Sequence, residues 1–206
     1  MEIQYYGSNC VKITTKKSHI VIDPKSEIAT ISPDIKKATQ ILVTQTAYAP
    51  EKTDVFIADS PGEYEFEDCS IKGIATQAFQ GASGDKSATI YRVSSADVTV
   101  LIVGNINEKL TEDQLESIGL VDVVVVPVGG NGYSLDATGA ATVVRAIEPK
   151  LVIPVFYEED KVQYEVPPAS LELFTKELGA PVEEPTDKYK AKQLPERTTV
   201  QPLSVS

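Results

Sequence analysis

Val121-Asp122-Val123-Val124-Val125-Val126-Pro127-Val128-Gly129-Gly130 is the stretch on which the fold turns. An apolar, β-branched run of this length, stopped by a glycine pair, reads as the strongest strand of the chain. Downstream, Ala137 to Ile147 has the spacing of a helix and Leu151 to Val155 that of a strand, and Pro168 to Leu178 reads as a helix that Gly179 closes. Upstream, Val98-Thr99-Val100-Leu101-Ile102-Val103 is a second apolar strand. It precedes a helix start at Leu110 to Leu115, with Thr111 as N-cap and acids in the first turn. Strand and helix alternate through this half, which predicts an α/β layered sheet.

The first half is richer in strands. Short runs at Ile3 to Tyr6, Val11 to Ile13, Ile20 to Ile22, Ile41 to Val43 and Val55 to Ile57 are parted by turn residues such as Gly7-Ser8-Asn9 and Ser60-Pro61-Gly62. Ser70 to Phe79 and Thr89 to Val93 predict further strands, joined by a flexible loop at Gly81 to Lys86. Beyond Pro181 the chain is rich in Pro, Glu and Lys, with a last strand expected within Thr198 to Leu203. No linker interrupts the middle, so residues 1–206 read as one domain whose C-terminal part is about 181–206.

With 206 residues the chain is long enough to bury a core, built from Val, Ile, Leu and Tyr because Trp is absent and Met occurs once. A net charge of -11 disfavours nucleic acid and anionic lipid, and the basic residues form no stripe. Cys10 and Cys69 fit neither a zinc spacing nor a disulfide framework and read as buried thiols. The N-terminus shows no signal-type segment, and no stretch approaches the ~18 apolar residues of a membrane helix. The expectation is a cytoplasmic protein without a membrane or nucleic-acid partner. The identity of a protein or small-molecule partner and self-association are open.

Three segments, Tyr6-Gly7-Ser8-Asn9-Cys10-Val11-Lys12-Ile13, Ile20-Val21-Ile22-Asp23-Pro24 and Ile41-Leu42-Val43-Thr44, resemble the opening of the metallo-β-lactamase superfamily, nearest the bacterial zinc-dependent hydrolase branch. Ser60 to Glu65, Val126 to Gly130, Ser134 to Ala137 and Glu148 to Pro154 extend the likeness in order, to about residue 157. The resemblance implies a four-layer αββα sandwich with a metal site where the sheets meet. Its main ligand motif, H-x-H-x-D-H, would follow Thr44.

Those positions read Gln45, Ala47, Ala49 and Pro50. The early ligand position implied by the resemblance is Ser8, the bridging carboxylate falls on Asn105, and the closing histidine on Phe156. A further histidine expected in Thr76 to Gln80 is absent. Zinc hydrolysis needs about three nitrogen or carboxylate ligands per metal and an open position for water. The single histidine, His19, opens a strand far from these loops and reads as a surface residue. No zinc and no other cofactor is therefore expected, and a non-catalytic pseudo-hydrolase that binds a ligand or partner is the first expectation.

Two alternatives stay open. Asp23, Asp59, Glu63 and Glu65 offer oxygens for an atypical Mg²⁺ or Mn²⁺ site in a hydrolase, although Asp23 also suits a structural turn and Glu63 and Glu65 a solvated strand face. Gly129, Gly130, Gly132 and Ser134 form a strand-to-helix turn able to cradle an anion or nucleotide, although capping by Ser134 or Asp136 explains it equally. Tyr48, Tyr133 and Tyr157 fall on loops edging the expected cleft, where they either line a pocket or fill space.

Overall fold

The computed structural model describes residues 1–26, 28–31, 33–79, 86–96 and 98–206. In chain order these form β1 (Glu2–Tyr5), β2 (Val11–Thr14), β3 (His19–Ile22), β4 (Gln40–Leu42), β5 (Phe56–Ala58), β6 (Gly62–Phe66), β7 (Cys69–Gln77), β8 (Ser87–Ser95), β9 (Val98–Ile102), α1 (Glu112–Ile118), β10 (Val123–Pro127), α2 (Ala137–Ile147), β11 (Leu151–Val155), α3 (Leu171–Leu178), β12 (Lys188–Lys190) and β13 (Thr199–Val200). All but Lys86 of the expected loop at Gly81 to Lys86 lies outside the described residues, as does Gln80.

Two mixed sheets result, ordered β12-β1-β2-β3-β4-β5 and β13-β11-β10-β9-β8-β7-β6. Every residue of β10 and β11 is buried. β10 lies parallel between β9 and β11, and a strand covered on both faces has no reason to alternate polar and apolar residues. The outer strands do alternate. In β6, Glu63 and Glu65 are exposed while Tyr64 and Phe66 are half-buried.

One hydrophobic cluster joins the facing surfaces: Ile3, Tyr5, Ile13, Ile20 and Leu42 from the first sheet, Ile71, Ile90, Val93, Val100 and Leu101 from the second. Side chains of this size each contribute roughly 1.5–3 kcal/mol when fully buried. Tyr91 Oη ties the sheets together by donating to the Ala58 carbonyl at 2.9 Å. The α/β sandwich implied by the resemblance is thus present, with its helices packed on the seven-stranded sheet rather than on both outer faces. Its helices are sparse: α1 lies against β7, α2 against β10, and α3 packs on α2.

Thr111 and Gln114 cap α1 reciprocally, at 3.2 and 2.8 Å. Helix α3 begins at Leu171 rather than at Pro168. The intervening residues are extended because the Ala169 amide donates to the Gly129 carbonyl and its carbonyl accepts from the Glu158 amide. Ser60-Pro61-Gly62, read as a turn, leads directly into β6, and the Lys-rich tail supplies β12. β6 agrees with the strand face that Glu63 and Glu65 suit, whereas β12 was not expected. Cys10 and Cys69 are buried free thiols. Among the described residues, no helix is long and apolar enough to cross a membrane.

Candidate functional site

The loops that leave the strands at one edge of the sandwich carry the positions singled out above, and they meet in two groups. In the first, a 3₁₀ turn at Thr46–Tyr48 follows β4 and brings the Tyr48 hydroxyl to Asn105 Nδ2 at 2.6 Å. Gln45, Tyr48 and Asn105 are 4%, 8% and 5% exposed, so the position expected for a bridging carboxylate is a buried neutral amide. Its Oδ1 accepts no hydrogen bond from the described residues. Ala47, Ala49 and Pro50 are half-buried, and their side chains offer hydrocarbon alone.

In the second group, Ser8 meets Phe156: the Phe156 amide donates to the Ser8 carbonyl at 2.9 Å and to the Tyr5 hydroxyl at 3.1 Å. Tyr164 sits behind them, its hydroxyl accepting from the Ser8 amide at 3.0 Å and its ring edge-on to Phe156. Ser8 Oγ donates to Ser26 Oγ at 2.9 Å. Residues 28–30 pair with 163–165 across this corner, through Thr30 N to Gln163 O and Glu165 N to Ile28 O. Ser8 and Phe156 keep left-handed backbones, φ 51° and 53°. A bulky residue there costs about 1–2 kcal/mol, held in place by the surrounding bonds.

Asp23 lies beneath the first group. Its carboxylate accepts from the Thr44 amide and the Thr44 hydroxyl, both at 2.7 Å. Burial drives its pKa up to about 7 against the opposing pull of the two Thr44 bonds. Cys10 is raised well above the ordinary thiol value by burial and then by the Asp23 charge. Tyr5 is raised in the same way, first by burial and then by Tyr164 and Tyr157. Apart from Asp23, these groups are neutral at neutral pH.

The donor set does not fit zinc. Neutral amides, hydroxyls, methyl groups and a phenyl ring supply neither the nitrogens nor the charge that a divalent transition metal needs. The carboxylate alternative also fails to assemble. Asp23 is spent on Thr44, whereas Asp59, Glu63 and Glu65 are exposed at the β5–β6 edge. Among the described residues no three of His, Cys, Asp and Glu gather into a metal cluster.

The anion cradle is corrected too. The Gly130 amide donates to Ser134 Oγ at 3.1 Å and to the Leu135 carbonyl at 3.0 Å, so the turn consumes its own donor. Asp136 caps α2 by accepting from the Gly139 amide at 2.8 Å. With Glu108 it gives the adjoining cleft, about 470 Å³, two carboxylates that repel a phosphate. Gly129 serves packing, since a Cβ there would lie 2.2 Å from the Phe156 carbonyl oxygen.

Tyr48 and Tyr157 fill space, the latter buried and donating to the Leu203 carbonyl at 3.0 Å, while Tyr133 stays half-buried. His19 is half-buried at the start of β3, with Nδ1 3.5 Å from the Thr14 hydroxyl. Tyr5, Ser26 and Tyr164 were not anticipated. Tyr5 and Tyr164 stand 151 and 8 residues from Phe156, and no local pattern marks such partners.

A family model described as a β-lactamase superfamily domain matches residues 2–156. A protein of Lysinibacillus sphaericus named a UPF0173 metal-dependent hydrolase is 26% identical over 196 residues, covering 76% of this chain and 85% of its own. One of Thermoplasma acidophilum with the same description is 25% identical over 197 residues, covering 76% and 83%. The fold superposes on a Thermotoga maritima protein described as a zinc-dependent hydrolase of the metallo-β-lactamase superfamily, with a TM-score of 0.77, 22% identity and 100% of both chains covered. A metallo hydrolase of Ignicoccus hospitalis gives a TM-score of 0.62 at 14% identity, over 86% and 90% of the two chains.

Proposed function

This chain belongs to the β-lactamase superfamily, and from that premise we propose that it works without zinc, as a pseudo-hydrolase retained to bind a ligand or a protein partner. The observation that carries this reading is the donor set itself: Ser8, Gln45, Ala47, Ala49, Pro50, Asn105 and Phe156 stand where the superfamily resemblance expects metal ligands. A site of this composition cannot convert water to hydroxide at neutral pH, because nothing in it withdraws charge from the oxygen. The buried Tyr48–Asn105 and Ser8–Phe156 contacts support a role in which the edge is packed rather than reactive.

A second reading is favoured by the names of the two curated relatives, each a metal-dependent hydrolase. On it the chain is a hydrolase whose metal is held in an atypical way, by groups other than the carboxylates of Asp23, Asp59, Glu63 and Glu65, which do not gather. Metal analysis of the purified protein, combined with assays on phosphodiester, lactam and thioester substrates, separates the two. The first reading expects no stoichiometric metal and no turnover; bound zinc with turnover ends it. The second expects Mn²⁺ or Mg²⁺ to raise the melting temperature, with a chelator reversing the shift. Indifference to every divalent ion removes it.

A further inference from the structure

Each sheet ends in a strand that carries one sign of charge. β6 is an outermost strand of the seven-stranded sheet and pairs with β7; β12 is an outermost strand of the six-stranded sheet and pairs with β1. An outermost strand presents backbone donors and acceptors on its open side; in β12 the Lys188 and Lys190 carbonyls also accept from Thr186 Oγ1 at 3.2 Å and the Lys192 amide at 2.8 Å, so a partner strand has to share those oxygens. In β6, Gly62-Glu63-Tyr64-Glu65-Phe66, the two acids are exposed and the two aromatics half-buried. In β12, Lys188-Tyr189-Lys190, the two lysines are exposed and the tyrosine half-buried.

The surroundings sharpen the contrast along the chain at the acidic end, although Lys72 lies in register with Glu63; around β12, Glu183, Glu184 and Asp187 are exposed as well. From Asp54 to Cys69 the chain carries six acids and neither Lys nor Arg, and among the described residues neither Glu63 nor Glu65 has a salt bridge. At the other end Lys188 and Lys190 share the single Glu2 carboxylate, at 3.3 and 3.9 Å, which leaves one positive charge over. Both ends also expose an apolar side chain. Phe56 is 50% exposed and lies 6.0 Å from Tyr64 and 5.4 Å from Phe66; Val182, bridged to Val200 of β13, is 49% exposed.

Self-pairing of like edges is unfavourable. An antiparallel β6–β6 pair centred on Tyr64 sets Glu63 against Glu65 twice, and a β12–β12 pair sets Lys188 against Lys190. The cross pair reverses every sign: acids face lysines on the outer side, and Tyr64 lies beside Tyr189 on the inner side. We propose that β6 of one copy pairs with β12 of a second copy, a head-to-tail contact held by opposite charges on matched strand faces. Repetition of that contact closes a ring or continues as a chain.

The test is sedimentation velocity of the full chain over a concentration series, at about 50 mM and about 500 mM salt, where screening differs strongly. Wild type is expected to gain mass with concentration at low salt and to associate at least about tenfold more weakly at high salt. Glu63→Lys/Glu65→Lys and Lys188→Glu/Lys190→Glu should each remain monomeric, and an equimolar mixture of the two should associate again, because each variant supplies the edge the other needs. Melting temperatures show that each variant is folded. Should the lysine variant unfold, the glutamate variant alone decides, since its side chains are exposed and form no salt bridge among the described residues. A wild type that stays monomeric throughout overturns the proposal and marks the charges as guards against edge pairing. Association that survives the glutamate reversal, or a mixture of folded variants that stays monomeric, overturns it equally.

Discussion

Asp23 is fully buried with φ 46°, and the Thr44 amide and hydroxyl meet its two oxygens. Burial raises its pKa from 3.8 to about 7. The folded chain therefore keeps a proton that the unfolded chain releases at lower pH. The resulting stabilisation is complete below about pH 4 and is lost as pH rises through about 7, a change of up to about 4 kcal/mol. Asn at this position accepts from the Thr44 amide through Oδ1 and donates to the hydroxyl through Nδ2, as the protonated acid does. Asp23→Asn should therefore flatten the fall in urea-unfolding free energy between about pH 4 and 8. A variant that keeps the wild-type slope would show that another group titrates. At Gly129 the argument is steric: a Cβ would meet the Phe156 carbonyl at 2.2 Å and Pro168 at 2.5 Å, both on other segments. Gly129→Ala should cost at least about 2 kcal/mol, whereas Gly132→Ala, with open space around its Cβ, pays only the smaller backbone cost of φ 84°. Equal losses in thermal melts would refute the packing account of Gly129.

At the scale of elements, the hairpin tips of the two sheets are joined by one carboxylate. Asp68, between β6 and β7, accepts from Thr15 Oγ1 at 2.8 Å, Ser18 Oγ at 3.0 Å and the Lys16 and Lys17 amides at 3.1 and 3.3 Å, all in the turn between β2 and β3. Partial desolvation opposes its charge, but the bonds from Thr15, Ser18 and Lys17 outweigh it and hold the pKa below the ordinary carboxylate value. Its contribution is present at neutral pH and is lost as pH falls through that lowered value, the reverse of Asp23. Asp68→Ala should cost about 1–2 kcal/mol at pH 7 in urea unfolding; an unchanged midpoint would mean that water replaces the carboxylate at no cost. The elements joined in this way differ in how plainly the chain announces them. α2 runs from Ala137 to Ile147, the bounds its apolar spacing predicts, and β9, β10 and β11 follow from unbroken β-branched runs. β6 was legible only as a solvated strand face at Glu63 and Glu65; the half-buried Tyr64 and Phe66 between them form its other side. β12 is three residues in a lysine-rich tail and is held by pairing with β1 from the far end of the chain, which no local pattern encodes.

Over the whole molecule, the residues at the positions where the resemblance expects ligands were legible because they are identities that follow recognisable strands. Their contacts were not: Tyr48 reaches Asn105 across 57 residues, and Tyr164 reaches Ser8 across 156. The core that holds the sheets together, including Ile20, Leu42, Ile90 and Leu101, is hydrocarbon and asks nothing of an ion. The edge also has a defined backbone scaffold. Ser8 and Phe156 have left-handed backbones and a direct amide-to-carbonyl bond, while Thr44 packs on Gly104, the residue before Asn105. On the proposed reading, metal binding and fold are separable, and both sides can be measured. Wild type should melt within about 1 °C of the same temperature with and without a strong chelator, since linkage needs a bound ion to act on. Restoring donors in one variant, Gln45→His, Ala47→His, Ala49→Asp, Pro50→His, Asn105→Asp and Phe156→His, should recover close to one zinc per chain by elemental analysis, against under about 0.1 in wild type, because about three such ligands suffice to hold the ion. That variant should also become chelator-sensitive in its melt. A folded variant that still takes up no zinc would mean that the edge differs from a metal site in its backbone as well as its side chains, and the separation of metal binding from fold would then be wrong.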